Sequence, residues 1–175
     1  MDAARFGMDT ITLNGGLEAK LSAMKAAGFT HVMVLARDIA GHPQGEAAGI
    51  AAVLNSGLRV TGLQVLRDFE GLSASATPQL HEYKVDIAKA MLHMAVAIRA
   101  PLLLICSSTH EQSVSDVDVM VQDLRKLAML ALPHNIKIAY EALSWGKHVH
   151  EYPQALDIRS EEHTSELQSH LMISY

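Results

Sequence analysis

The sequence predicts an α/β protein of about five parallel strand-and-helix units, arranged as the first part of a truncated (β/α)₈ TIM barrel. Two observations predict this fold. First, a joint in which an amphipathic run ends at a breaker and a short apolar run follows recurs along the 175 residues. Second, the apolar runs are hydrophobic along their whole length, as are the strands of a parallel sheet that helices cover on both faces.

The predicted strands follow these joints in order along the chain. An opening strand is placed near residues 5–10, and the later strands follow Gly28, Gly57, Pro101 and Asn135. A glycine just past a helix end adopts the left-handed conformation without a steric cost, which makes it a helix stop signal. The later predicted strands are residues 29–35, 58–66, 102–106 and 136–141.

Helical periodicity fills the segments between the strands. Apolar residues recur three and four positions apart, which gives each predicted helix one apolar face. Three such stripes are Leu17, Leu21 and Met24; Ile87, Met91, Met94 and Ile98; and Val117, Met120, Leu124 and Leu127. Strands and helices therefore alternate as β-α-β-α-β-α-β-α-β.

This alternation fits either a closed barrel or a doubly wound open sheet. No G-x-G-x-x-G follows a predicted strand and no G-x-x-x-x-G-K-[ST] occurs, so the nucleotide-binding open sheets lose support. The connection from Arg67 to Leu80 is longer and more polar than the other strand-to-helix connections. Long loops at this face of a barrel usually serve a site, so the barrel is the favoured fold.

Composition excludes several classes of function. The net charge of −5 is spread along the chain without a basic cluster, so nucleic acid is not an expected partner. Apolar stretches are far shorter than the ~20 residues of a membrane-spanning helix, so no membrane partner is expected. A single cysteine, Cys106, suits a reducing compartment, and we predict a cytoplasmic protein.

Candidate site residues lie at the C-terminal ends of the predicted strands, where barrels carry their chemistry. Glu141 ends the fifth strand, where a carboxylate can ligate a hard divalent cation; the alternative is a solvated residue or an ion-pair partner. Arg67 follows the third strand and has the planar guanidinium that forks onto a substrate carboxylate. An internal salt bridge from Arg67 to Asp68 or Glu70 is the competing interpretation.

The histidines and the cysteine allow several readings. His148 and His150 follow Glu141 closely enough to serve as a general base or a hydrogen-bond donor to substrate, or they are exposed loop residues. The other histidines are scattered over different predicted elements and no H-E-x-x-H occurs, so a zinc cluster is not predicted. Cys106 ends a buried strand and is interpreted as a small core residue rather than a nucleophile.

Three segments resemble the xylose isomerase-like barrels, and among them the bacterial 3-dehydroshikimate dehydratases. They are residues 17–29, a helix that runs into a strand; residues 64–71, QVLRDFEG; and residues 138–146, IAYEALSWG, followed by His148. The resemblance covers about residues 5–158.

The resemblance implies an activity and roles for the matching residues. It implies dehydration of 3-dehydroshikimate to protocatechuate, with a divalent metal, Mg²⁺, Mn²⁺ or Co²⁺, as cofactor. Glu141 matches a metal-ligating glutamate, and Gln64 and Arg67 match a substrate-binding segment. His148 falls in a W-G-x-H pattern and is assigned to the catalytic residues as a substrate contact.

The sequence departs from the family at two places. Residues 33–35 lack an acidic residue that the family often has in this strand, and His150 stands where Asn or Asp is usual. These departures leave the exact substrate open. The expected partner is a small-molecule substrate, and a homo-oligomer is a further expectation for the full-length parent protein.

The chain divides after residue 158 into a barrel segment, residues 1–158, and a tail, residues 159–175. The tail begins RSEEHTSELQSH, which resembles the conceptual translation of a short-read sequencing adapter, so we predict that it is not native. The alternative is an ordinary polar helix, since Leu167 and Leu171 share a face. If the tail is not native, the chain is an inactive fragment of its parent.

The sequence leaves two other functions open. One is a sugar or inositol isomerase, epimerase or dehydratase, because the same barrel hosts related metal-assisted chemistry. The other is a non-catalytic binding protein that keeps a partial barrel, which requires the tail to be real.

Overall fold

Strands and helices alternate along the chain as predicted. The structure, a computed structural model, describes residues 6–161 and the backbone of residues 171–173. The strands are β1 (Gly7–Asp9), β2 (His31–Leu35), β3 (Arg59–Leu66), β4 (Leu102–Cys106), β5 (Lys137–Glu141) and β6 (Leu171–Ile173). The α-helices are α1 (Leu17–Ala26), α2 (Ala36–Ala40), α3 (Glu46–Asn55), α4 (Pro78–Ala97), α5 (Val117–Ala131) and α6 (Tyr152–Ser160), and single 3₁₀ turns lie at Thr10–Thr12 and Leu132–His134.

The chain forms two compact units. The first contains the described residues up to Gln64 together with His93–Pro101, and the second contains Val65–Leu92 and the described residues from Leu102 onward.

The first unit is built on three parallel strands. β1 pairs with β2 and β2 pairs with β3, with an irregularity in the register between Val32 and Met33. Val32, Val34 and Leu63 are fully buried, because strands covered by helices have no wet face. A buried ion pair joins the helices: Lys20 of α1 contacts Asp38 of α2, and their side chains are 7% and 15% exposed.

The second unit carries β4, β5 and β6, which are also parallel. β4 and β5 pair in unbroken register, so that Cys106 and Glu141 are opposite one another at their C-terminal ends. β6 pairs with β5 over three residues. Helix α5 begins at an N-cap, Asp116, whose carboxylate accepts hydrogen bonds from the amides of the first turn and so satisfies donors that the helix leaves free.

The five predicted strands are confirmed within one or two residues of their expected bounds. The stripes of α1, α4 and α5 are confirmed as buried faces at residues such as Leu21, Met91 and Leu124, whereas Val117, at the start of the α5 stripe, is 44% exposed. The sequence did not predict the separate short helix α2. No helix in the described part is long and apolar enough to cross a membrane.

The predicted tail overlaps the described residues only in part. Residues 162–170 and 174–175 lie outside them. Residues 159 and 160 end α6, and residues 171–173 form β6. The prediction that residues 159–175 are not native stays a prediction.

Candidate active site

Glu141 is the last residue of β5, and its carboxylate is held from the neighbouring strand. The thiol of Cys106 donates a hydrogen bond to Glu141 Oε2 over 3.3 Å. Burial, reinforced by the Glu141 carboxylate, raises the pKa of Cys106 to about 12, so the thiol keeps its proton at neutral pH. This agrees with the interpretation of Cys106 as a core residue rather than a nucleophile. Glu141 is half-buried, and its Oε1 has no hydrogen-bond partner among the described side chains and backbone groups.

The loop after β5 is tied to the loop after β4. The Leu143 amide donates to Ser107 Oγ over 2.8 Å, and the Lys147 amide donates to the Ser108 carbonyl over 2.8 Å. Gly146 is required where the two loops meet, because a Cβ built there would lie 2.5 Å from Ser107 Oγ. The two strand ends that carry Cys106 and Glu141 are therefore framed by loops that hold one another in place.

Glu70 lies in the interior of the second unit. Its side chain is 1% exposed, and its Oε1 accepts hydrogen bonds from the Ser108 amide and, over 3.1 Å, from the Tyr140 hydroxyl. Burial raises the pKa of Glu70 to about 7. The same burial, together with Glu70 itself, raises the pKa of Tyr140. The long loop after β3 thus reaches the ends of β4 and β5 through one side chain.

Asp68 makes a second connection between these loops. Its Oδ1 accepts from the Thr109 amide over 2.8 Å, while Lys84 lies 3.9 Å from Oδ2. Asp68 has a positive φ of 54°, a conformation that Asp tolerates better than most residues because its short polar side chain bonds locally. Its carboxylate is therefore committed to structure rather than to Arg67.

Arg67 is exposed, and neither competing salt bridge forms within the described residues. Asp68 pairs with Lys84, and Glu70 is bonded to Ser108 and Tyr140. The Arg67 guanidinium has no hydrogen bond or ion pair with any described group, and its charge lowers the pKa of Cys106 against the larger effect of burial. A free guanidinium near the ends of β4 and β5 can accept a planar anion.

His148 lies in a cleft of about 390 Å³ whose lining includes Lys147, His150 and Asp157. Its Nε2 is 2.7 Å from the Ser113 carbonyl oxygen. A carbonyl only accepts, so Nε2 carries the proton, and in the neutral imidazole Nδ1 is left as the acceptor. Any base function of His148 must therefore use Nδ1.

Gln64 lies in the first unit, near the end of β3, and is 6% exposed. Its side-chain amide donates to Asp9 Oδ1 at the end of β1. Asp9 Oδ1 also accepts from the Ile11 amide over 3.2 Å, which anchors the carboxylate. One of the two N–H donors of Gln64 is thus occupied, and its carbonyl oxygen is available to accept from a substrate hydroxyl.

The sequence predicted most of these residues as candidates, but it did not predict the roles of Glu70 and Asp9. Arg67, Glu141 and His148 lie in the second unit, and Gln64 lies in the first. From the sequence, Glu70 was identified as a polar residue of the segment 64–71 and as a possible salt-bridge partner of Arg67, whereas Asp9 was not identified as a candidate. The sequence signal for Glu70 is a charged residue between Phe69 and Gly71, four residues after the end of β3. Phe69 is buried as well.

The described residues supply one candidate ligand for a divalent metal. No group of three or more His, Cys, Asp or Glu side chains in residues 6–161 is arranged to hold an ion. Glu141 has the right chemistry for a hard cation, with one oxygen free, but a lone carboxylate does not complete a site. A metal could be held firmly only with further ligands.

Two curated relatives are similar to this chain in sequence. The 3-dehydroshikimate dehydratase of Pseudomonas putida is 33% identical over 158 residues, which is 88% of this chain and 24% of the relative. The 3-dehydroshikimate dehydratase of Pseudomonas aeruginosa is 30% identical over 150 residues, 85% of this chain and 23% of the relative. The chain spans about a quarter of the length of these relatives. No protein-family model matches it.

Solved structures share the fold. A xylose isomerase-like TIM barrel/4-hydroxyphenylpyruvate dioxygenase fusion protein matches with a TM-score of 0.83 and 28% identity, over 95% of this chain and 26% of that one. D-psicose 3-epimerase of Clostridium cellulolyticum matches with a TM-score of 0.73 and 11% identity, over 95% of this chain and 61% of that one. The IolI protein with a bound zinc atom matches with a TM-score of 0.72 and 15% identity, over 94% of this chain and 60% of that one.

These comparisons confirm two predictions. The chain has the fold of the first part of a xylose isomerase-like TIM barrel, and its sequence resembles the 3-dehydroshikimate dehydratases. One protein of this fold binds zinc.

Proposed function

We propose that this chain is part of a divalent-metal-dependent lyase that dehydrates 3-dehydroshikimate to protocatechuate, and that the chain as given is inactive. The observation that carries the activity is the similarity to two 3-dehydroshikimate dehydratases over most of this chain. The proposed inactivity rests on Glu141 being a single ligand among the described residues and on the chain spanning about a quarter of these relatives.

The substrate carries a carboxylate, and Arg67 is the group proposed to bind it. The exposed guanidinium has no partner in the described part of the chain, so binding an anion breaks no existing ion pair. The planar fork of Arg makes two parallel hydrogen bonds to a carboxylate, which sets its orientation as well as its affinity. Lysine at this position would keep the charge and lose that geometry.

Gln64 and His148 are each proposed to contact substrate, as the resemblance to the dehydratases implies. The Gln64 carbonyl would accept from a ring hydroxyl, while one of its two amide N–H groups donates to Asp9. His148 would take a proton or accept a hydrogen bond at Nδ1, because its Nε2 donates to the Ser113 carbonyl.

Glu141 is proposed to be one ligand of a Mg²⁺, Mn²⁺ or Co²⁺ ion in the parent protein. A divalent cation beside a ketone acts as a Lewis acid and makes the neighbouring carbon more acidic. The described residues contain no complete set of ligands for such an ion. The remaining ligands and the general base would come from the rest of the parent barrel.

The parent is further proposed to be a cytoplasmic enzyme of aromatic-acid catabolism. Its proposed partner is a small-molecule substrate, without nucleic acid or membrane, and it is also proposed to form a homo-oligomer. The single cysteine and the absence of a membrane-spanning helix in the described residues are consistent with this proposal. Resequencing the locus across the codon for Ile158 tests the proposed boundary between a barrel segment (residues 1–158) and a non-native tail. A reading frame that continues into a sixth strand supports it, and residues 159–175 in both genomic DNA and transcript contradict it.

A chimera tests the activity directly. Residues 1–158 would be joined to the remainder of the Pseudomonas putida relative, whose sequence they match, and assayed with 3-dehydroshikimate and each of the three metals. The aromatic product is followed by its ultraviolet absorbance. We expect protocatechuate from the chimera, none from the 175-residue chain, and none from the chimera with Glu141→Gln.

Other outcomes would redirect the proposal. Product from the 175-residue chain alone would show that it is a competent enzyme. A folded chimera that fails to dehydrate 3-dehydroshikimate but epimerises a ketose would favour the sugar isomerase class, which includes the D-psicose 3-epimerase of similar fold. A chimera with neither activity would favour a binding protein.

A further inference from the structure

Asp9 ends β1 with one carboxylate oxygen in use and the other free. Its Oδ1 accepts from the Ile11 amide over 3.2 Å and from the side-chain amide of Gln64. Its Oδ2 has no hydrogen bond or ion pair with any described residue. Capping the turn at Thr10–Thr12 uses only Oδ1. Because an ionised carboxylate only accepts hydrogen bonds, Oδ2 is left to receive a donor from a ligand or from water.

The carbonyl oxygen of Gln64 is a second free acceptor. Gln64 is 6% exposed, and its Oε1 has no hydrogen-bond partner in the described part of the chain. Among the described residues, Glu70 Oε2 is the single side-chain nitrogen or oxygen that is both fully buried and unpartnered. Gln64 Oε1 is therefore accessible, although most of the side chain that carries it is buried.

Local hydrogen bonds hold Asp9 in place. The Thr12 hydroxyl donates to the Asp9 carbonyl over 2.7 Å, and the Leu35 amide at the end of β2 donates to the Thr10 hydroxyl over 2.8 Å. Thr10 is fully buried. Asp9 and Gln64 thus form one hydrogen-bonded pair inside the first unit. Since the pair is ordered before any ligand arrives, binding to it does not require these side chains to lose further freedom.

Two neighbouring acceptors select a ligand with two hydroxyl groups. A hydroxyl donates to a carboxylate or carbonyl oxygen, whereas a carboxylate or phosphate group placed there would be repelled by the charge of Asp9. A site that bonds hydroxyls rejects an analogue lacking them, because its acceptors would lose water without gaining a donor.

We propose that Asp9 and Gln64 together bind two adjacent hydroxyl groups of the substrate ring, and that Asp9 determines specificity for them. This inference rests on the proposed function, because 3-dehydroshikimate carries two adjacent ring hydroxyls. A hydrogen bond to a charged acceptor is about twice as strong as one between neutral groups. Removing the charge of Asp9 should therefore weaken binding about 10-fold.

The test uses the 175-residue chain labelled with ¹⁵N and titrated with 3-dehydroshikimate to millimolar concentration. We expect shifts of the Ile11 amide and of the Gln64 side-chain amide, the two groups that donate to Asp9. Cyclohex-1-ene-1-carboxylate, which has the carboxylate and no hydroxyl, should leave both signals unchanged. D-psicose serves as a second ligand with adjacent hydroxyls and no carboxylate.

Two variants separate binding from folding. Asp9→Asn keeps an oxygen that accepts from the Ile11 amide and replaces the free oxygen with an amide group, so half-saturation should need about 10-fold more 3-dehydroshikimate. Asp116→Asn is the matched control, since Asp116 also caps a helix with one carboxylate oxygen, and it should not change the titration. If circular dichroism shows that Asp9→Asn is unfolded, Asp9→Ser replaces it with the same expected loss, because serine also caps such turns.

The outcomes distinguish this inference from the proposed function. Equal affinity of the Asp9 variant and the wild type, or equal shifts with cyclohex-1-ene-1-carboxylate, would overturn the role of Asp9. So would the absence of shifts at Ile11 and Gln64 with both 3-dehydroshikimate and D-psicose. If 3-dehydroshikimate shifts the Arg67 amide alone, the inference fails and the proposed function stands. If D-psicose shifts Ile11 and Gln64 and 3-dehydroshikimate does not, the acceptor pair stands and the proposed function fails.

Discussion

The free energy of unfolding of this chain should depend on pH through the Glu70 carboxyl group. Replacing Glu70 with glutamine should remove that dependence. Burial raises the pKa of Glu70 from 4.5 to about 7. Between these two values the folded protein keeps a proton that the unfolded chain has released. The free energy of unfolding therefore falls as the pH rises from about 4.5, and this contribution stops changing above about pH 7. At 1.36 kcal/mol for each pH unit, the fall amounts to roughly 3 kcal/mol.

The glutamine variant isolates this contribution because an amide does not titrate. Its nitrogen stands where the protonated carboxyl has its hydroxyl, so the two side chains are alike at low pH. Cys106 and Tyr140 do not interfere between pH 4 and 8, since burial raises the pKa of each, that of Cys106 to about 12.

Urea denaturation followed by far-ultraviolet circular dichroism at several pH values between 4 and 8 measures the effect. As the pH rises from 4 to 8, we expect the free energy of unfolding of the wild type to fall by roughly 3 kcal/mol relative to that of Glu70→Gln. Glu82→Gln, at an exposed position of α4, is the matched control and should follow the wild type. Parallel curves for the wild type and Glu70→Gln would refute the conclusion that the buried carboxyl is neutral when folded.

Three further predictions concern stability, each measured by urea denaturation at pH 7. Asp38→Ala should cost roughly 3 kcal/mol, because it leaves Lys20, with a side chain 7% exposed, as an unpaired buried charge; the control Asp86→Ala breaks an exposed pair and should cost less than about 0.5 kcal/mol. Gly146→Ala should cost roughly 1–3 kcal/mol, because the new Cβ would lie 2.5 Å from a serine hydroxyl and a backbone carbonyl; no measurable loss would mean that the loop is loose. Asp116→Ala should cost about 1 kcal/mol by removing the N-cap of α5, whereas an unchanged midpoint would mean that water replaces the cap.

The candidate site was partly readable from the sequence. Arg67, Glu141 and His148 were found because parallel strands present their C-terminal ends at one edge, so polar residues that follow apolar runs are candidates. The sequence left open whether Arg67 bridges to Asp68 or Glu70. Neither bridge forms among the described residues, because these carboxylates are taken by partners some 40 and 70 positions further along the chain.

The sequence did not predict the hydrogen bonds that His148 and Gln64 make. That His148 donates from Nε2 depends on the Ser113 carbonyl 2.7 Å away. That Gln64 offers its carbonyl depends on Asp9. Both partners are distant in the chain, and local periodicity contains no information on such pairs.

The sequence alone determined the order and type of the elements, because the alternation of apolar strands with amphipathic helices is a local pattern that burial enforces. It also determined which strand ends carry polar groups. Tertiary structure decided the state of those groups. The sequence around Glu70 is that of an ordinary loop glutamate, and its pKa rises to about 7 because folding removes the carboxyl group from water without supplying a cation. Desolvation depends on everything packed around a side chain, so it follows from the fold and not from the residues on either side.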